Sequence, residues 1–145
     1  MHNEGSYQPS PLDYVRQQVE QYEATDGAEG GTMQGRPVVI LTTVGAKTGA
    51  LRKTPLMRVE RDGQYAVIAS QGGAPDHPHW YANIRANSLV ELQDGPVKQV
   101  MRAYVATGPE REQWWDLAVA AWPDYAEDQK RTERLIPVVV LTPAD

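Results

Sequence analysis

The Asp62-Gly63 pair is the sequence feature that most constrains the fold of this chain. It separates two β-like runs, residues 56–61 and 64–70, and an Asp-Gly pair between such runs is typical of a tight antiparallel hairpin. Further β-like runs cover residues 37–43, 88–93, 97–106 and 137–141. These strands do not alternate with helices, as they would in a parallel sheet. The sequence therefore predicts a mainly β fold of the α+β class, an antiparallel barrel of about six strands with flanking helices.

Two longer helices are expected beside this barrel. The first begins at Ser10, which can form a capping box with Asp13. One face of this helix carries Leu12, Val15, Val19 and Tyr22. We expect that face to pack on the barrel; peripheral membrane contact is the alternative, and the acidic polar face disfavours it for anionic lipid. The second helix runs from a capping box at Thr107 to about Ala121.

Length and composition restrict the classes of function. A chain of 145 residues suggests one domain, which we place at residues 10–145 after a disordered N-terminus at residues 1–9. The net charge of -5 argues against nucleic-acid binding, and the absence of cysteine excludes a thiolate nucleophile and an iron–sulfur cluster. Because residues 1–5 lack the basic and apolar regions of a signal peptide, the expected location is cytoplasmic, with membrane association as the alternative.

A basic island interrupts this acidic chain at residues 45–61. Its cations are Lys47, Arg52, Lys53, Arg58 and Arg61, and Glu60 is its only acid. Glycines on both sides of Lys47-Thr48 let backbone N–H groups form a concavity for an anion, which predicts an anion clamp. The alternative is an ordinary hairpin with a solvated basic face. The loop is not a P-loop, because Leu41 occupies the position of its first glycine, and Thr32 likewise breaks a dinucleotide fingerprint at residues 30–35.

Other chemistry-bearing residues give weaker signals. Ser70 ends a strand beside a glycine turn, where its hydroxyl can meet a ligand or serve the turn alone. The segment at residues 76–79 supplies only half a metal site, so no metal is expected. Among the aromatic residues, Trp80, Tyr81 and Tyr125 lie near loops and can line a pocket. Since no acid–base pair or activated nucleophile stands out, an enzyme of this sequence would rely on a cofactor.

Four spaced motifs, residues 41–49, 52–56, 69–73 and 78–83, resemble the deazaflavin-dependent nitroreductase family. Its members are split β-barrel proteins that bind coenzyme F420, a deazaflavin with a phosphate and a polyglutamate tail. The resemblance covers about residues 11–143. It implies a split antiparallel β-barrel and hydride transfer from reduced F420 to a flat, electron-poor acceptor such as a quinone or nitroaromatic.

The resemblance also assigns roles to residues. It implies a cofactor site made by Ala46, Lys47, Thr48, Arg52, Lys53, Thr54, Pro55, Leu56, Met57, Ile68, Ala69, Ser70, Gln71, His79, Trp80, Tyr81, Ala82 and Asn83. In this assignment residues 46–48 hold the tail with Arg52 and Lys53, and residues 68–71 pass the deazaflavin ring. Ser70 and Tyr125 are the candidate catalytic residues, as proton or orientation partners of the acceptor.

One departure from the family pattern concerns the acceptor. Members that reduce nitroimidazoles and quinones carry tyrosines where this chain has Met57, Trp122 and Asp128, so that only Tyr125 remains of that group. Three functions are therefore compared: an F420-dependent reductase, an F420-binding protein for storage or delivery, and a split barrel that binds FMN or haem. The expected partner is a small-molecule acceptor, and the chain is expected to be a monomer or a homodimer.

Overall fold

The computed structural model describes residues 5–144 as a β-barrel with helices packed around it. The strands are β1 (Thr32–Met33), β2 (Arg36–Val44), β3 (Leu51–Met57), β4 (Glu60–Arg61), β5 (Gln64–Ile68), β6 (Leu89–Asp94), β7 (Val97–Val105) and β8 (Val138–Pro143). The helices are α1 (Asp13–Thr25), α2 (His79–Ala86), α3 (Gly108–Ala121) and α4 (Asp124–Lys130), with a short 3-10 turn at Gln71–Gly73.

The barrel closes because one strand bends from one neighbour to another. β3 pairs antiparallel with β2 over its whole length, whereas β4, which follows after Arg58 and Val59, pairs with β5. β5 then pairs with β8, β8 with β7, β7 with β6 and β6 with β2. Six antiparallel segments therefore form one ring if β3 and β4 are counted as a single bent strand. The predicted split antiparallel barrel with flanking helices is confirmed.

Strand periodicity divides the core into two layers. Inside the barrel lie side chains such as Val39, Leu41, Val67 and Leu141, and α2 closes this layer with Trp80 and Ile84. The alternate residues of the same strands form the outer layer with α1, α3 and α4, for example Ile40, Ile68, Val140, Trp114 and Tyr125. Since period-two alternation sends successive side chains to opposite faces, the run of buried residues in β2 shows that this strand is buried on both faces.

Arg58 stabilises the bend between β3 and β4 through hydrogen bonds to Asp94. Its Nε donates to both carboxylate oxygens of Asp94, the last residue of β6, at 3.1 and 2.9 Å. Tyr65 donates its hydroxyl to the same carboxylate at 2.6 Å. Arg58 therefore has a structural role within the basic island. Arg61 is engaged as well, because its guanidinium lies 6.0 Å from the centre of the Trp114 ring.

The structure corrects three local predictions. β3 begins at Leu51, so that Arg52 and Lys53 lie on a paired strand instead of in a loop. α1 begins at Asp13, three residues after the predicted start. Ser10 Oγ accepts a hydrogen bond from Leu12 N at 3.1 Å ahead of this helix, but neither capping box expected at Ser10 and Thr107 is formed. Within the stretch expected to be disordered, Ser6 and Gln8 exchange backbone hydrogen bonds with Leu51, whereas residues 1–4 lie outside the described residues.

Tyr22 joins α1 to the barrel at a buried point. Its side chain is 1% exposed, and its hydroxyl accepts a hydrogen bond from Gly95 N at 2.7 Å and lies 3.1 Å from Val38 O and 3.3 Å from Gln93 O. The helix therefore docks on the barrel through the face predicted for that purpose, with Val19 and Tyr22 buried and Leu12 exposed.

We expect Tyr22→Phe to lower the free energy of unfolding by about 2 kcal/mol, because buried backbone groups lose their partner while the aromatic ring stays. Urea denaturation followed by tryptophan fluorescence measures this loss. The matched control is Tyr104→Phe, whose hydroxyl donates to Glu110 at the surface, with an expected change within about 0.5 kcal/mol. Equal losses in the two variants would contradict a structural role for the buried hydroxyl.

Candidate functional site

An open groove of about 450 Å³ lies where β3 separates from β5. In this region β3 pairs with β2, whereas β5 pairs with β4 and Ala66 N donates a hydrogen bond to Val59 O. The ends of β3 and β5 therefore lie near each other without strand pairing. α4 and the turn between β1 and β2 form the outer walls. The lining residues are Met33, Gln34, Pro55, Leu56, Met57, Ile68, Ser70, Gln71, Gly72, Pro78, Trp80, Trp122, Asp124, Tyr125, Asp128 and Arg131.

Apolar walls and a few polar groups make this groove suitable for a flat ligand. Ser70 and Tyr125 are 8% and 5% exposed, and their hydroxyls have no hydrogen-bond partner among residues 5–144. Burial, and then the nearby Asp128, raises the pKa of Tyr125, so this phenol keeps its proton at neutral pH. Both predicted catalytic residues therefore line one groove, with hydroxyls available to a ligand.

Asp128 is a carboxylate at a position where the similar nitroimidazole and quinone reductases carry a tyrosine. It is 5% exposed, lines the groove and is paired with Arg131 Nη1 at 3.2 Å. Burial raises its pKa, which Arg131 opposes and Asp124 reinforces. Tyr125 and Asp128 are three residues apart on α4, a spacing that puts both on one helical face. That spacing is the signal that could have identified Asp128 as a site residue.

Arg134 holds the floor of the groove in place, a role not predicted from the sequence. Its guanidinium donates to three backbone carbonyls, of Ala74 at 2.9 Å, Ala69 at 3.2 Å and Ser70 at 2.8 Å. It also lies 2.9 Å from His77 Nδ1. The chain on both sides of the 3-10 turn is thus fixed by one side chain from beyond α4, and this fixes the backbone position of Ser70.

The basic loop between β2 and β3 lies at the other end of β3. Lys47 is exposed and forms no ion pair within the described part of the chain. Asn83, on α2, accepts a hydrogen bond from Ala46 N at 2.9 Å and donates to Thr43 Oγ1 at 3.1 Å. The loop is therefore anchored to the helix, while Lys47 stays free to meet an anion.

Two other cations of the island are already engaged. Lys53 pairs with Glu23 of α1 and lies 5.0 Å from the centre of the Tyr7 ring. Arg52 lies 3.5 Å from the carbonyl of Gln8. An anion that reaches this region thus meets Lys47 directly, whereas Arg52 and Lys53 would share it with their present partners.

The predicted site residues fall into three groups. Eight of the predicted site residues line the groove: Pro55, Leu56, Met57, Ile68, Ser70, Gln71, Trp80 and Tyr125. The loop and the start of β3 carry Ala46, Lys47, Thr48, Arg52, Lys53 and Thr54. The remaining residues, Ala69, His79, Tyr81, Ala82 and Asn83, do not line the groove, and Tyr81 instead lines a second cavity with His77. The groove residues not predicted include Met33, Gln34, Gly72, Pro78 and Trp122.

Residues 5–144 contain neither a metal-ligand cluster nor a helix that could span a membrane. No group of three or more potential metal ligands occurs among them. The helices of the same residues include none whose length and hydropathy would allow it to cross a membrane.

Known proteins are similar to this chain in sequence and architecture. Residues 14–143 match the family described as F420H(2)-dependent quinone reductase. An F420H(2)-dependent quinone reductase of Mycobacterium tuberculosis is 37% identical over 125 residues, which cover 83% of this chain and 84% of that protein.

Two solved structures are similar to this chain in sequence and fold. One, described as an F420-H2 dependent reductase (FDR-A), is 53% identical with a TM-score of 0.70, covering 73% of this chain and 94% of its own. The other, described as a domain-swapped dimer, is 49% identical with a TM-score of 0.72, covering 91% and 99%. The matched residues span the barrel and every wall of the groove, and the chain belongs to the F420H(2)-dependent quinone reductase family.

Proposed function

We propose that this protein reduces quinones with a hydride from reduced coenzyme F420, F420H2, bound at the groove and the basic loop. The observation that carries the proposal is the open groove at the barrel split, with Lys47 at the far end of the strand that borders it. Membership of the quinone reductase family supports the choice of cofactor and acceptor. Nitroaromatics are a second acceptor class, to be tested beside quinones.

The residues present fit an elongated cofactor. A groove of about 450 Å³ is in the range of sites for ring-shaped ligands. β3 runs from the loop to the groove and is about 20 Å long at the usual rise per residue. A ligand with a flat ring at one end and an anionic tail at the other matches both ends of this strand.

Residues of β3 and β5 would hold the ring, and the loop would hold the tail. Residues 55–57 lie across the groove from Ile68, Ser70 and Gln71, and Trp80 also lines it. The tail would meet the Lys47 side chain and the N–H groups of Lys47 and Thr48, since the Ala46 N–H is donated to Asn83. When bound, reduced F420 supplies the hydride. The chain contributes a groove whose apolar walls exclude water from one side, and the hydroxyls of Ser70 and Tyr125 to orient the acceptor.

The test is a reoxidation assay. F420H2 is mixed with a soluble quinone with and without the protein, and its absorbance is followed. We expect saturable acceleration over buffer. Tight binding of F420 without acceleration would instead support storage or delivery, and tighter binding of FMN or haem than of F420, in parallel titrations of tryptophan fluorescence, would overturn the cofactor assignment.

Lys47→Ala is expected to weaken F420 binding by roughly 3- to 10-fold and to reduce its salt dependence, because a charge-assisted contact to the tail is lost. Fluorescence titration at two salt concentrations measures both effects. Lys98→Ala is the matched control, since Lys98 is an exposed lysine on β7, and its affinity should equal that of the wild type. An unchanged affinity in Lys47→Ala would place the tail elsewhere.

We also propose that the protein forms a homodimer. The support is the relative, 49% identical, that is described as a domain-swapped dimer. Light scattering after size exclusion distinguishes dimer from monomer.

The cytoplasmic location and a peripheral membrane contact through α1 stay predictions. Leu12 and Tyr14, which are 52% and 71% exposed, are the residues that such a contact would use.

A further inference from the structure

We propose that Asp128 is the acid that protonates the reduced quinone in the groove. The inference rests on the proposed function, and it adds a catalytic residue that the family resemblance does not assign. The resemblance allows Tyr125 to be either a proton donor or an orientation partner. The proposal assigns proton donation to Asp128 and orientation to Tyr125.

The position of Asp128 supports this role. Its side chain comes from α4, lies in the wall of the groove and is 5% exposed. Of its two carboxylate oxygens, one faces Arg131, an exposed arginine that can swing into solvent. Gly73 packs against the backbone of Asp128, so the adjoining floor of the groove holds the acid in place.

The surroundings raise the pKa of the Asp128 carboxyl above its ordinary value. The groove lining contains only four charged or titratable side chains, Asp124, Tyr125, Asp128 and Arg131, all from α4 and its C-terminal end. β3, β5, the 3-10 turn, α2 and the turn after β1 contribute only uncharged groups to the lining. Burial raises the pKa of Asp128, and the neighbouring Asp124 adds to this effect. The exposed Arg131 is the one cation of the lining, and it opposes the shift.

Tyr125 is less suited to give up a proton. Burial, and then the charge of Asp128, raises the pKa of its phenol, which makes it a poor acid at neutral pH. Its hydroxyl can still donate a hydrogen bond to a quinone oxygen and hold the ring beside Asp128. The two residues thus divide orientation and proton transfer between them.

The chemical step is balanced as follows. The quinone accepts a hydride and becomes the hydroquinone monoanion. The O–H bond of Asp128 breaks, and its proton forms the new O–H bond of the hydroquinone. The Asp128 carboxylate regains a proton from water, and the proton that F420H2 loses along with its hydride enters the solvent. The sum is F420H2 plus quinone giving F420 plus hydroquinone.

The experiment compares wild type, Asp128→Asn and Glu127→Gln in F420H2 reoxidation with one soluble quinone across a range of pH. We expect Asp128→Asn to be roughly 10- to 100-fold slower at the pH where the wild type is fastest, because it cannot donate a proton. The wild-type rate should fall as pH rises through the pKa of Asp128, and the ratio of the two rates should fall with it. Glu127→Gln removes an exposed carboxylate of the same helix outside the groove and should match the wild type.

Three further measurements separate the possible failures. F420 affinity, from fluorescence, should be the same in all three proteins, and the solvent deuterium isotope effect of the wild type should shrink in Asp128→Asn. At neutral pH, Asp128→Asn should melt close to the wild type, because the substitution removes the cost of burying a carboxylate together with its ion pair to the exposed Arg131. An Asp128→Asn protein with the wild-type rate, pH profile and isotope effect would overturn this proposal alone. A wild type that binds F420 but does not accelerate quinone reduction would overturn the function on which it rests.

Discussion

Arg134→Met lowers the free energy of unfolding by about 3 kcal/mol, and the melting temperature by about 10 °C, if this side chain fixes the groove floor as the structure shows. The replacement keeps most of the aliphatic volume but removes every donor. The Ala69 and Ala74 carbonyls then have no other partner among the described residues, whereas the Ser70 carbonyl keeps its hydrogen bond from Gly73 N. Thermal and urea unfolding measure the loss.

The same variant has a second readout at His77. Burial lowers the pKa of this imidazole, and the neighbouring Arg134 and Arg85 lower it further. Removing Arg134 should therefore move the pKa of His77 upward, which an NMR titration detects. Arg102→Met is the matched control, because Arg102 is an exposed arginine on β7, and its stability should change by no more than about 0.5 kcal/mol. A loss as small as this in Arg134→Met would mean that water satisfies the Ala69 and Ala74 carbonyls equally well.

Local signals explain why most of the barrel could be predicted. Asp62 and Gly63 both adopt positive φ, 54° and 81°, as the tight hairpin turn between β4 and β5 requires. Largely apolar runs at residues 37–43 and 137–141 predict strands, and β2 and β8 lie there. In these elements the residue pattern and the tertiary environment favour the same structure, and the predictions agree with the observed bounds to within a few residues.

β3 shows where local pattern is insufficient. Arg52, Lys53 and Thr54 are the kind of residues that loops carry, yet each pairs with a residue of β2. Partners distant in sequence make the strand possible: Glu23 on α1 balances the charge of Lys53, and β2 supplies the ladder of hydrogen bonds. A prediction from neighbouring residues alone cannot include such partners.

The candidate site divides in the same way. Ser70, Trp80 and Tyr125 could be predicted because each lies beside a turn or a helix start that a sequence reveals. Arg134 acts on Ser70 from 64 residues away, and only the packing of α4 against the 3-10 turn brings them together. Asp128 differs from the tyrosine of similar reductases at this position, and only the structure shows that its carboxyl is buried in the lining of the groove.

Gly73→Ala is expected to produce a loss of similar size, about 3 kcal/mol, through steric overlap between the 3-10 turn and α4. Gly73 has φ of +83°, and a Cβ atom there would lie 2.6 Å from the carbonyl oxygen of Asp128 and 2.9 Å from Cβ of Arg131. The first of these atoms is backbone, so that relief requires α4 to move. Because α4 carries Tyr125 and Asp128, F420H2-dependent quinone reduction should fall together with stability.

The adjacent glycine separates steric overlap from backbone strain. Gly72 also has positive φ, +65°, but a Cβ atom there would meet no atom within 4 Å. Gly72→Ala therefore carries only the cost of a left-handed backbone, about 1 kcal/mol. Thermal unfolding of the two variants side by side should show a difference of about 2 kcal/mol, which measures the contact between the turn and α4. Equal losses would mean that the helix yields without cost, and the wall that places Asp128 in the groove would then be too loose to hold an acid against a quinone.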